Sequence, residues 1–315
     1  MHGKENITRG TEFIILGFPE FPELQIPLFL LFLVIYLIIL MGNLTIITVT
    51  CLDPHLHTPM YFFLCNLSFL DISYTSVTVP KLLDIFLRKR RHISAAGCFT
   101  QMHFFTSSLC IEYVLLTVMA YDRYVAICHP LRYTLIMNER ICVLMAVNTW
   151  IFGCLAAATH TVLVSGLFYC GSNEINHFFC DLSALLKLSC TSTSTIENLT
   201  YLIGVFITMP CLISTLVSYV YIISAILRIR SSEGRRKAFS TCSSHLSVVI
   251  LYYGTLLFSY VRPTSTQSLN QNKTIALLYN VLVPMFNPLI YSLNNKAVKN
   301  TLRKVLIINK DHKNI

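Results

Sequence analysis

Seven stretches of this chain are too apolar for a water-soluble fold, and each has the length of a bilayer crossing. They run from about Ile26 to Thr50, Met60 to Val79, Cys98 to Ala120, Ile141 to Val162, Leu199 to Leu227, Lys237 to Tyr260 and Ile275 to Leu293. A helix of about 20 residues spans the hydrocarbon core. Inside that core only helices and closed barrels satisfy their own backbone groups. The pattern therefore predicts an all-α fold, a bundle of seven transmembrane helices. Residues 1–25 would form a short tail on one side, 26–293 the bundle, and 294–315 a tail on the other.

The polar residues agree with this partition. Charged residues make up 12% of the chain, against about 25% in a soluble domain. The net charge of +9 would suit nucleic acid, but the basic residues flank apolar spans instead of lining a soluble face. Lys and Arg number three in residues 122–140, five in 228–237 and six in 296–313, fourteen of the 24 present. That bias places the C-terminus in the cytoplasm and the N-terminus outside, with Arg88-Lys89-Arg90-Arg91 as an exception. Met1 to Pro22 has no apolar core ahead of a small-residue cleavage site, so the first span is expected to serve as signal and anchor. In the C-terminal tail Val298, Leu302, Val305 and Leu306 fall on one helical face, with Lys299, Arg303 and Lys304 elsewhere, which predicts a short amphipathic helix on the inner leaflet.

Several side chains stand out against this background. Asn43, Asp71, Glu112 and Asn287 lie mid-span, where a polar or ionisable group is costly and marks either function or a hydrogen-bonded packing cluster. Arg123 closes the third span within MAYDRYVAIC, Met119 to Cys128, and Asp122 is its nearest partner. On the third span Phe105, Leu109, Glu112, Tyr113 and Leu116 recur at helical spacing on one face. Pro210 sits inside the fifth span, and PMFNPLIY in the seventh joins a proline to a buried asparagine. Cys98, Cys170, Cys180 and Cys190 fall on the oxidising side, and the other eight cysteines are expected to be free thiols. Asn6 opens a sequon in an exposed place; those at Asn198 and Asn272 lie near the outer surface, and those at Asn43 and Asn66 are inside spans. Nothing suggests an enzyme: no nucleophile with a base, metal-ligand spacing or phosphate loop is present.

The Asp122-Arg123-Tyr124 triplet resembles that of rhodopsin-like G-protein-coupled receptors. With MAYDRYVAIC, LHTPMYFFL at Leu56 to Leu64, KAFSTCSSH at Lys237 to His245 and PMFNPLIY, in order across seven spans, the whole chain is similar to the olfactory receptors of that family. The resemblance implies disulfides Cys98–Cys180 and Cys170–Cys190. It implies a cavity for small volatile, mostly hydrophobic odorants, lined by Phe105, Thr106, Leu109, Cys110 and Tyr113, by Ile203, Phe206 and Ile207, by Tyr253, Leu256 and Tyr260, and by Asn280. Coupling to a heterotrimeric G protein of the stimulatory class, and so to cyclic AMP, would involve Asp122, Arg123, Tyr124, Tyr219, Lys237, His245, Asn287, Pro288 and Tyr291. Asp71, Glu112 and Asn287, with Asn43 nearby, would line a sodium site; two carboxylates there leave open a bound cation or a protonated acid. Similar loops have been read as metal sites at His177-Phe178-Phe179-Cys180-Asp181, but a bridged Cys180 is a poor ligand and a non-metal role is favoured. Phe105 stands where amine receptors carry aspartate, and Val281 where opsins carry the retinal lysine. The competing expectation is a non-olfactory receptor of the same family for a small lipid or peptide. A transporter would show inverted repeats, and none is seen.

Overall fold

The structure is a computed structural model that describes residues 12–19, 22–88, 91–170, 172–260, 273, 276–293, 298, 299 and 301; at 22, 237, 240, 241, 255–260, 292 and 293 it describes the backbone alone. Its long helices are α1 (Gln25–Leu52), α2 (Pro59–Arg88), α3 (Ala95–Cys128), α4 (Glu139–Ser165), α5 (Ser194–Leu227), α6 (Ser232–Tyr260) and α7 (Val283–Leu293). A π-helical turn, Leu278–Leu282, leads into α7. Helices α1 to α5 are each long and apolar enough to cross a membrane. They exceed the apolar spans at most ends: α2 runs on through Pro80, because Leu82, Ile85 and Phe86 are buried beyond it.

The bundle is apolar on its outside as well as its inside. Ile26, Leu30, Leu37 and Leu44 on α1, Leu144, Ile151 and Leu155 on α4, and Phe206, Ile213 and Val220 on α5 are all exposed. Stripes this large are tolerated where the surroundings are lipid. The centre belongs to α3, which packs against α2, α4, α5 and α6. Two glycines set the closest approaches. A Cβ at Gly153 on α4 would collide with Cγ1 of Ile111 and lie 3.0 Å from the Ser107 carbonyl on α3, and one at Gly42 on α1 would lie 2.9 Å from the Pro288 ring on α7.

One end of the bundle carries a small sheet that the apolar pattern does not announce. Strand β1 (Glu12–Ile15) pairs antiparallel with β2 (His92–Ser94), between α2 and α3, and parallel with β3 (Glu174–Ile175), between α4 and α5. The segment read as a plain tail thus supplies the central strand, and Phe13 and Ile15 are fully buried. The long connection between α4 and α5 also holds a short helix, Leu182–Lys187, capped by the Asp181 carboxylate, which accepts from the Ser183 and Ala184 amides at 3.0 and 3.2 Å. At the opposite end Val298 packs on Val49 and Leu56. Leu302 to Leu306, and with them most of the amphipathic tail helix, lie outside the described residues.

Candidate functional site

The sheet end forms a roof. Cys98, in the first turn of α3, is bonded to Cys180, with Cα atoms 5.4 Å apart, and Cys170 to Cys190 at 5.7 Å. Gln101 of α3 fixes the same loop from below: its Oε1 accepts from the Cys180 amide at 2.9 Å, and its Nε2 donates to the Val77 carbonyl of α2 at 2.8 Å. The loop therefore turns inward. Phe178 and Phe179 are buried, and the Phe179 ring lies 4.5 Å from that of Phe105. Buried His177 stacks on Phe178 at 4.7 Å. Burial pushes its imidazole below the usual histidine range; Lys273 acts in the same direction and Asp181 opposes it.

Below the roof the third-span face is as the spacing implies. Phe105 and Tyr113 are buried, and Thr106, Leu109 and Cys110 are half-buried beside them. Tyr113 faces Tyr252 and Tyr253 of α6 at 5.1 and 6.0 Å, and the Tyr252 hydroxyl donates to the Leu109 carbonyl at 3.1 Å. Ile203 and Ile207 are half-buried on α5, but Phe206 is 74% exposed. Phe206 points out of the bundle and does not line this region; in a helix that is apolar all round, spacing alone does not say which face turns inward. The side chains of Leu256 and Tyr260 lie outside the described residues.

Asn280 is fully buried in the π-turn, where its Oδ1 accepts from Thr78 Oγ1 of α2 at 3.1 Å. Thr78 was not singled out in the sequence. Its signal was a polar stripe on α2, Asp71, Thr75 and Thr78, all buried and spaced four and then three residues apart.

Deeper, Asp71 Oδ2 accepts from Asn287 Nδ2 at 2.9 Å, and Asn43 Nδ2 donates to the carbonyls of Ile39 at 3.0 Å and Pro284 at 3.3 Å. Glu112 is fully buried and within electrostatic reach of Asp71. Neither Glu112 oxygen, nor Asp71 Oδ1, Asn43 Oδ1 or Asn287 Oδ1, finds a hydrogen-bond partner among the described residues. Such a set of buried oxygen acceptors fits a hard cation.

At the far end Arg123 is clamped. Its Nη2 and Nε donate to Asp122 Oδ2 at 2.7 and 3.1 Å, and the Tyr133 hydroxyl donates to Asp122 Oδ1 at 2.7 Å. Sequence reasoning missed Tyr133, which sits in the connection to α4 with no spacing signal to Asp122. The Tyr219 hydroxyl of α5 meets His245 Nδ1 of α6 at 2.6 Å, Tyr124 meets His129 Nε2 at 3.0 Å, and Tyr291 is buried on α7. The Lys237 side chain, and Asn6 and Asn272, lie outside the described residues; Asn198 is exposed in the first turns of α5.

Comparison with known proteins bears on the whole chain. A family model described as "Olfactory receptor" matches residues 32–309. The chain is 47% identical to mouse olfactory receptor 5AR1 over 303 residues, 96% of this chain and 98% of that protein. It is 50% identical to human olfactory receptor 5I1 over 301 residues, 96% of each. It is also 50% identical to the dog olfactory receptor-like protein OLF1 over 306 residues, 97% of this chain and 98% of that one.

Proposed function

The chain belongs to the olfactory receptor family, a multi-pass membrane protein and not an enzyme, and from that premise we propose that it converts odorant binding into activation of a stimulatory G protein. The odorant sits beneath the roof, against Phe105, Leu109, Tyr113, Ile203, Ile207, Tyr253 and Asn280. The lining is mostly apolar, so burial supplies the affinity at about 25 cal/mol per Å². The Asn280 amide and the tyrosine hydroxyls orient a small molecule by one or two hydrogen bonds. The sheet end, with its disulfides, faces the extracellular side of the plasma membrane, and the Arg123 end faces the cytoplasm.

The observation that carries this reading is that one helix, α3, bears both Phe105 under the roof and Arg123 in its clamp. A ligand that favours one arrangement of α3 against α5 and α6 biases the clamp at the other end. Release of Arg123 from Asp122 exposes it to the G protein, while Tyr219–His245 yields as α6 moves. Asp71, Glu112, Asn43 and Asn287 would hold a sodium ion, which would supply positive charge to offset the two buried carboxyl groups.

An odorant panel tests this in cells that carry the receptor and a stimulatory G protein, with surface receptor counted. Cyclic AMP is expected to rise for a subset of small apolar volatiles. Silence across the panel with receptor at the surface overturns the reading.

A further inference from the structure

The EFIILGF segment, Glu12 to Phe18, does more than tether the N-terminus. As the central strand it is held on both sides. The Ile15 amide donates to the Arg91 carbonyl at 2.8 Å, and the Ile14, Leu16 and Gly17 amides donate to the carbonyls of Asn173, Ile175 and His177 at 2.9, 3.0 and 3.0 Å. At Gly17 the backbone takes φ +66, a left-handed conformation that favours glycine. That turn delivers the Phe18 ring into the bundle mouth. It lies near-parallel to Phe178 at 5.8 Å and to Phe32 of α1 and Phe86 of α2, each at 6.2 Å. The Lys273 ammonium sits 5.8 Å over the same ring. From Phe178 the contacts continue to Phe179 at 4.9 Å and from Phe179 to Phe105 at 4.5 Å.

The geometry points to Phe18 as a positioning residue for the odorant site, which sets ligand selectivity by fixing the Phe178–Phe179 roof over Phe105. It touches no ligand itself. Its ring ties together α1, α2 and the loop between α4 and α5, and so decides how far Phe179 reaches down. Aromatic pairs hold preferred offsets and are stiff in two torsions, so a lost ring changes the roof's height and not only its stability. This rests on the proposed function for the ligand, though not for the strap itself.

Two measurements test it. In dose–response curves, Phe18→Ala is expected to shift the half-maximal concentration by about tenfold for the bulkier agonists and less for the smallest. The maximal response per surface receptor and the ligand-free activity stay as in the wild type, and Phe18→Tyr restores potency. In purified receptor without odorant, hydrogen exchange at residues 175–179 is expected to quicken in Phe18→Ala and return in Phe18→Tyr. Unchanged agonist ranking and potency in Phe18→Ala overturns the proposal. So does a response that falls only in step with surface receptor in both variants, and so does unaltered exchange. A wild-type receptor silent to every odorant would count against the function, leaving the exchange measurement to decide the strap.

Discussion

The two ends of this bundle are held by different kinds of bond. At the sheet end the links are covalent, or shared among many partners: two disulfides, three strands and a run of packed rings. At the Arg123 end those among the described residues are few and exchangeable: one carboxylate shared by a guanidinium and a phenol, and two phenols each on an imidazole. Breaking any single link at the first end leaves the others in place. At the second, each contact is a side-chain hydrogen bond that water or another protein can take over, worth about 1 kcal/mol net for a neutral pair and about 1.5–3 kcal/mol where a charged group takes part. One end is built to keep its shape, and the other is the end at which the proposed change of state would act.

The largest expected effect tests the permanence of the sheet end. Cys98→Ser should lower stability by about 2–5 kcal/mol, as loss of a native bridge does. It should remove most receptor from the surface, read by thermal melting in detergent and by surface labelling. A variant that melts and traffics like the wild type would show that the sheet and the rings suffice alone. Next, Arg123→Ala should abolish odorant-driven cyclic AMP per surface receptor and lower stability by up to about 3 kcal/mol, because the buried Asp122 carboxylate loses its counter-charge and keeps the Tyr133 donor. Full signalling by that variant would break the contrast between the ends. Tyr133→Phe removes one hydrogen bond to the Asp122 carboxylate, worth about 1.5–3 kcal/mol, only part of which bears on the balance of states. Ligand-free cyclic AMP should then rise by up to about fivefold, with odorant potency slightly improved; an unchanged basal level would remove Tyr133 from the clamp.

The smallest expected effect is on pH. The fold keeps His177 neutral, with Asp181 and Lys273 as the charged groups facing it, whereas the unfolded chain takes up a proton near pH 6.5. Below that value the unfolded state binds more protons, so stability present above about pH 6.5 is lost as the pH falls. Melting temperature should drop between pH 7.5 and 5.5 in the wild type and less so in His177→Gln. An equal drop in both would assign the acid sensitivity elsewhere.

Much of the bundle could be read directly from the chain. Runs of twenty apolar residues leave few alternatives, and MAYDRYVAIC marked the end where Arg123 is clamped. The features that could not be read depend on partners distant in sequence. Glu12–Ile15 is four residues long, and its partners span three and two residues. Strand pairing that brief is decided by tertiary packing, not by propensity. Tyr133 finds Asp122 only after the connection to α4 folds back. The π-turn that seats Asn280 has no distinct composition, and Phe206 was misplaced because lipid and core demand the same kind of side chain.

The middle strand of the sheet is made long before its neighbours. Ile14 pairs with Glu174, so some 160 residues must be translated between them, roughly ten to thirty seconds at ordinary ribosome speeds. For that interval Phe13 and Ile15 lack the β3 partner strand, while Phe18 already has Phe32 and then Phe86 to pack on. Biogenesis thus includes a period in which a half-built sheet waits with an open edge, a natural place for chaperones to act.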